Sequence, residues 1–295
     1  LLANGITTAF HGVTLSWEPG LRGIDTWRAI LDALASRPSA CDMRVHLRWE
    51  AYNLEAVETA VADMAAGRVH LLAFNDHTPA ILRKIDDPLV AAKYGERAGL
   101  PLAAFRALAG HVAARVSEVP SAIERIAGAA RKAKILMASH DDATIEDRRR
   151  FRALGARLCE FPMAAAVGQA ACEAGDVVAM GSPNVVRGSS HLGWASAAKL
   201  AETGVCTILA SDYYYPAMLQ APLILAARGM LDLPSAWALV SANPAAATGL
   251  SDRGCIAEGR RADLVLVNAA SRAVAATIAG GQIAFLTAAG AARLP

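Results

Sequence analysis

The sequence predicts a parallel (β/α) barrel with part of a small β-sandwich at its C-terminal end. Short apolar runs alternate with helical patterns at roughly 20 to 40 residues per unit. Several of these runs stop at His or Asp, as barrel strands do when their carboxyl ends converge on one face. Beyond residue 250 the pattern changes to short strands separated by glycine turns. The expected division is a barrel over 1–250 and a sandwich portion over 251–295. With 295 residues, 54% of them hydrophobic, the chain can bury a core of that size.

The first strand is the β-rich run 6–13, ITTAFHGV, followed by a helix over 26–34. Next, 44–50 reads RVHLRWE, in which Val45, Leu47 and Trp49 alternate with His46, Arg48 and Glu50. Period-two alternation means a strand with one polar face, and three ionisable groups on that face are costly to bury unless they line a site. A helix over 54–66 ends at Gly67, and the run 69–74 stops at Asn75-Asp76-His77-Thr78-Pro79. The pattern from 79 to 120 is helical and charged, broken by Gly95, Gly99 and Gly110, and reads as an insertion able to carry a lid. Ser121-Ala122-Ile123-Glu124 has the spacing of a capping box, with Ile123, Ile126, Ala127 and Ala130 as the apolar face behind it.

The densest strand end follows, ILMASHDDAT over 135–144: an apolar run that stops at His140, Asp141 and Asp142 before a helix-starting Thr. A charged helix over 145–154 starts at Thr144, with Asp147 three residues on. Its Arg148-Arg149-Arg150 run reads as a solvated helix face. A strand over 158–161 carries Glu160, a helix spans 163–174, and a strand over 176–180 opens into the loop GSPNVVRGSSH, 181–191. A helix over 194–202 feeds the strand 205–210, which ends at Ser211-Asp212-Tyr213. Two helices are expected after Pro216, then tail strands over 264–268, 276–278 and 283–286.

These are seven candidate barrel strands where eight would close, and residues 1–6 read as a helix end leading straight into a strand. The expectation is that the sequence lacks its front, including the first barrel strand and the part of the sandwich that the short tail cannot supply.

Composition narrows the class. The balance of 29 Lys+Arg against 27 Asp+Glu leaves a formal charge of +2, too small to suggest a nucleic-acid partner. No uncharged apolar run reaches the ~18 residues of a membrane span. The five scattered cysteines, without a C-x-x-C pair, argue against a disulfide framework and fit a reducing, cytoplasmic compartment. A barrel of this size is compatible with self-association, for which the sequence carries no signal.

His140, Asp76-His77 and Asp212 all terminate apolar runs, so convergence on one barrel mouth accounts for them together. Imidazole and carboxylate groups suit Zn²⁺, Mn²⁺ or Fe²⁺, and the spacing does not choose among them. Asp142 has two roles open to it, in the site or as a cap for the helix that follows. Asp212 can take a proton from an attacking water, its other reading being a helix cap. The 181–191 loop combines small residues with Asn184, Arg187 and His191, a composition suited to an anion and equally found in solvated loops. His11, within a strand, and His70, before one, read as core or edge positions, and His111 sits on the insertion.

Taken together, SHDDAT, HLRWE, NDHTP, GSPNVVRGSSH and SDYYYP resemble the alpha-D-ribose 1-methylphosphonate 5-triphosphate diphosphatase family of the amidohydrolase superfamily. The tail DRGCIAEGRRADLVLV is similar to the returning sandwich strands of amidohydrolases in general, and the likeness runs from Gly5 to Leu286. It implies a metal-dependent (β/α)8 TIM-type barrel holding one or two divalent ions, zinc first and manganese or iron next. The implied reaction converts the triphosphate of a ribose phosphonate to the 5-phosphate plus diphosphate, so the partner is a small phosphorylated sugar. By position, Glu50, His77 and His140 resemble metal ligands, and Asp212 the acid of the last strand. Arg48, Asn184, Arg187 and His191 resemble contacts to the phosphate chain, with His46, Asp76, Asp141 and Asp142 behind them. The superfamily places an H-x-H or H-x-D pair on its first strand, and neither occurs upstream of Gly5. The same scaffold also hydrolyses amides, lactams and amines, and a catalytically silent phosphosugar-binding barrel is the non-enzymatic reading.

Overall fold

The computed structural model describes residues 1–188, 193 and 195–293. Seven strands form one parallel sheet in sequence order: β1 (Thr8–Leu15), β2 (Asp42–Glu50), β3 (Leu71–Asn75), β4 (Leu136–His140), β5 (Leu158–Glu160), β6 (Val177–Gly181) and β7 (Ile208–Ala210). The register of the long pair runs from Thr8 opposite Asp42 to Leu15 opposite Trp49, and Glu50 then lies opposite Asn75. Each crossover carries at least one helix, so every strand points the same way and all the carboxyl ends share one face. Among the described residues β1 and β7 are the two edges of this sheet.

Side-chain alternation separates outer clusters, packed beneath the helices, from an inner one. Val13, Leu15, Val45, Leu47, Trp49 and Phe74 point outward into a large cluster beneath the helices. Trp27 of the helix Ile24–Ser36 is fully buried there, and its indole donates to Asp63 at 2.7 Å. Burying each such side chain contributes about 1.5–3 kcal/mol. On the opposite faces of β3 to β7, Leu71, Ala73, Ala138, Leu158, Ala179 and Ile208 form a smaller inner cluster. Small inner residues leave room for the long polar side chains of β2. At Gly12 a Cβ would stand 3.5 Å from Cδ of Arg48.

The helical stretch after β3 resolves into Thr78–Lys84, Pro88–Ala98, Leu102–Ala114 and Val119–Lys132. Gly99 ends a helix with φ 67°, whereas Gly95 and Gly110 lie inside helices. Gly95 is there for space, since a Cβ would come within 2.8 Å of the Leu100 carbonyl. The capping box expected at Ser121 does not form. That helix starts at Val119 with Pro120 in its first turn, and the Ser121 hydroxyl donates back to the Glu118 carbonyl. Residues 182–187, expected as loop, form the short helix Ser182–Arg187, set by Pro183 in its first turn and Gly188 at its end. Between Pro216 and the tail strands lie three helices, Ala217–Ala227, Leu233–Ala238 and Ala242–Ala247, where two were expected.

The tail forms a three-stranded antiparallel sheet of β8 (Leu264–Val267), β9 (Val274–Ala279) and β10 (Gln282–Leu286), in the order β10-β9-β8. The first residues pack on it: Thr277 donates to the Leu2 carbonyl at 2.7 Å. No helix among the described residues is long and apolar enough to cross a membrane, and all five cysteines are free.

Candidate metal centre

The strand ends assemble two histidines whose rings meet edge to face, with centroids 5.9 Å apart. His77 follows β3 and His140 closes β4. Nδ1 of His77 lies 2.5 Å from Oε1 of Glu50, and the His77 backbone N–H donates to Oε2 of the same carboxylate at 3.2 Å. Nδ1 of His140 lies 2.6 Å from Oε2 of Glu160, at the end of β5. Both glutamates are buried. Each imidazole is therefore fixed from behind by a carboxylate, the arrangement that orients histidines for a metal ion.

The remaining nitrogens converge on Asp141. Nε2 of His77 lies 3.5 Å, and Nε2 of His140 3.6 Å, from its two carboxylate oxygens. Candidate ligand atoms of His77, His140 and Asp141 all lie within 4.8 Å of one another. Asp141 reaches this position through a left-handed backbone turn, φ 59°, secured by its N–H donating to the Glu160 carbonyl. A guanidinium has only donors to offer, so the 2.6 Å contact from Nη2 of Arg48 makes Nε2 of His140 an acceptor. That assigns the proton of His140 to Nδ1, facing Glu160, and points the lone pair of Nε2 at Arg48 on the cleft wall, a contact that a bound cation would replace.

Electrostatics follow from these contacts. Hydrogen bonds to Asp141 and then Glu50 raise His77 to about 9, burial opposing them. Burial acts to raise Glu160, but His46, His140 and Arg48 together outweigh it and hold that carboxyl at about 2. His46 sits deeper in the barrel with Nε2 unpartnered, and burial lowers it to about 4. Desolvation raises Asp76.

A cleft of about 200 Å³ opens beside the histidines, lined among others by Arg48, His140, Asp141, Asn184, Arg187 and Asp212. Asp212 takes φ 50° just beyond β7 and is exposed at this mouth. Pro216, not Asp212, occupies the cap of the following helix. The guanidinium of Arg187 lies over the Tyr213 ring at 5.4 Å. The side chain of Asn184 ties down the backbone, accepting from Ala197 N–H at 2.9 Å and donating to the Ala195 carbonyl at 3.2 Å. His191 lies outside the described residues.

Of the three ligands carried over by resemblance, the cluster brings together His77 and His140, while Glu50 stands behind His77 and Asp141 takes the third place. Glu160 was missed as a site residue, although it showed the signal that marked His140, an ionisable group closing a buried run. Asp142 does not cap the next helix. Thr144 does, in a complete capping box with Asp147, and Asp142 is buried beneath the turn. Arg148 corrects the reading of its run as a solvated face: it is 2% exposed, while Arg149 and Arg150 lie in solvent.

Residues 98–285 match the model of the amidohydrolase family. The chain is 33% identical over 278 residues to the alpha-D-ribose 1-methylphosphonate 5-triphosphate diphosphatase of Escherichia coli (strain K12), covering 91% of this chain and 73% of that protein. Among solved structures it resembles N-acetylglucosamine-6-phosphate deacetylase from Pasteurella multocida, with TM-score 0.60 and 10% identity over 96% of this chain and 77% of that one. It also resembles beta-aspartyl dipeptidase from Fervidobacterium islandicum AW-1, with TM-score 0.58 and 14% identity over 97% and 76% of the two chains. At such identities these two likenesses concern the fold.

Proposed function

The chain belongs to the amidohydrolase family, and on that premise we propose that it cleaves the α–β phosphoanhydride of alpha-D-ribose 1-methylphosphonate 5-triphosphate, giving the 5-phosphate and diphosphate. The observation that carries this reading is one cleft that joins the His140–Asp141 end of the histidine cluster to two guanidiniums, Arg48 and Arg187. A cation site alone would serve many hydrolases. Paired guanidiniums beside it suit a substrate with several phosphate oxygens.

The donor set fits a divalent ion. Two imidazoles with their Nδ1 atoms occupied, and a carboxylate between their Nε2 atoms, are nitrogen and oxygen donors of the kind that zinc, manganese or iron accepts. His77, His140 and Asp141 would hold it, with Glu50 and Glu160 as their orienting partners and His46 further back, while Asp76 beside His77 is exposed. One or two such ions supply Lewis acidity to the attacked phosphoryl group. Arg48 and Arg187 hold the departing diphosphate, whose charge grows as the bridge breaks. Asp212, exposed at the rim, accepts the proton of the attacking water. The free thiols favour a reducing compartment.

Phosphorus NMR on the ribose phosphonate triphosphate tests the reading. With zinc- or manganese-loaded protein, diphosphate and the 5-phosphate should appear in equal amounts, and a chelator should stop the reaction. Stepwise release of single phosphate, or no turnover by the metal-loaded protein, counts against it.

A further inference from the structure

Behind β4, on the side away from the cleft, lies a buried polar relay that the proposed chemistry does not use directly. Nη1 of Arg148 donates to the Ser139 hydroxyl at 2.5 Å, and that hydroxyl donates to Oδ2 of Asp142 at 2.5 Å. The guanidinium also donates to the Ala156 carbonyl at 2.6 Å and the Leu158 carbonyl at 3.3 Å, which fixes it to the segment leading into β5. Asp142 is further held by the Cys159 thiol at 3.6 Å and, through its carbonyl, by Met163 N–H at 3.0 Å. Ser139, Asp142 and Arg148 are each 2% exposed or less.

Ser139 and Asp142 flank His140 and Asp141. The two outer residues face the buried relay while the two inner ones face the mouth. Asp141 can keep its left-handed conformation only if the chain on both sides is fixed, because a non-glycine residue there is strained by about 1–3 kcal/mol. The first side is strand β4, and the second is Asp142. We infer that Arg148 is a positioning residue that, through Ser139 and Asp142, sets the Asp141 carboxylate between the two histidines and so tunes the affinity of the centre for a divalent ion. The inference rests on the reading that His77, His140 and Asp141 hold such an ion.

Arg148 has a second carboxylate neighbour, and this makes the inference testable. Nε of Arg148 lies 3.6 Å from Oδ2 of Asp176, a buried residue just before β6 that also pairs with Arg152 at 3.1 Å. If Arg148 were merely structural, loss of either acid would have the same kind of effect. If it positions Asp141, only the Asp142 side should reach the metal.

The experiment titrates Co²⁺ into the protein by chelator competition and records the visible d–d spectrum, with thermal melting in parallel. Asp142→Asn and Ser139→Ala should weaken Co²⁺ binding about 10- to 100-fold and change the intensity of the bands. Asp176→Asn should lower the melting temperature while leaving affinity and spectrum at the wild-type values. Ser139→Ala removes one hydroxyl and no charge, so it tests the relay even if Asp142→Asn folds poorly. Wild-type affinity and spectrum in Ser139→Ala, or equal loss in the Asp142 and Asp176 variants, would overturn the positioning role alone. Failure of the wild type to bind Co²⁺ would overturn it together with the metal reading beneath it.

Discussion

At the scale of single residues the structure is governed by which charges are buried and what holds them. His46 is the clearest case. Its folded pKa of about 4 lies below the ordinary histidine value, so the folded protein binds fewer protons than the unfolded chain between about 6.5 and 4. The stability it contributes is complete above that window and lost as the pH falls through it, on the order of 3 kcal/mol. His46→Gln should flatten the acid limb of urea stability measured between pH 7 and pH 4. An acid limb as steep as wild type would remove His46 from that role. The residue was legible in the sequence because His46, Arg48 and Glu50 alternate with Val45, Leu47 and Trp49, and alternation fixes which side chains share a face. What alternation cannot give is the register that decides which residue of the neighbouring strand a side chain meets. Glu160 pairs with His140, 20 positions earlier in the chain, because β4 and β5 lie side by side with these two residues opposite each other.

At the scale of elements, local signals held where the chain satisfies its own hydrogen bonds. Thr144 and Asp147 cap their helix as the spacing expects, with Thr144 accepting from Asp147 N–H at 3.0 Å and Asp147 accepting from Thr144 N–H at 3.1 Å. Thr144→Ala should cost about 1 kcal/mol, read as a lower urea midpoint with an unchanged slope. An unchanged midpoint would show that the cap is not limiting. The same spacing failed at Ser121, where the preceding proline set the helix start one turn earlier than the hydroxyl could. Arg148 was hidden for a different reason. A run of three arginines looks solvated, yet Arg148 shares the buried face of its helix with Phe151, three positions on. That periodicity was a readable signal, overruled by the charge.

At the scale of the whole molecule, the tail is fastened to the opposite end of the barrel from the histidines. Arg253 donates to Thr8, the first residue of β1, at 2.8 Å and to Asp42, the first residue of β2, at 2.7 Å. Its side chain is 9% exposed, so water does little to weaken the contact. Arg253→Ala should raise amide exchange about tenfold across 264–286 while β3 to β5 keep their protection. Equal acceleration in the barrel, or none in the tail, would contradict this fastening. The barrel mouth has a different character. Asp141, Phe161 and Asp212, directly beyond β4 and β5 and just past β7, all take left-handed backbone angles that glycine or asparagine would adopt more easily. Selection for heat resistance alone would favour such replacements, and each would erase a side chain that shapes the cleft. Thermal robustness and the centre therefore compete for the same three positions, which places any gain in melting temperature elsewhere in the chain.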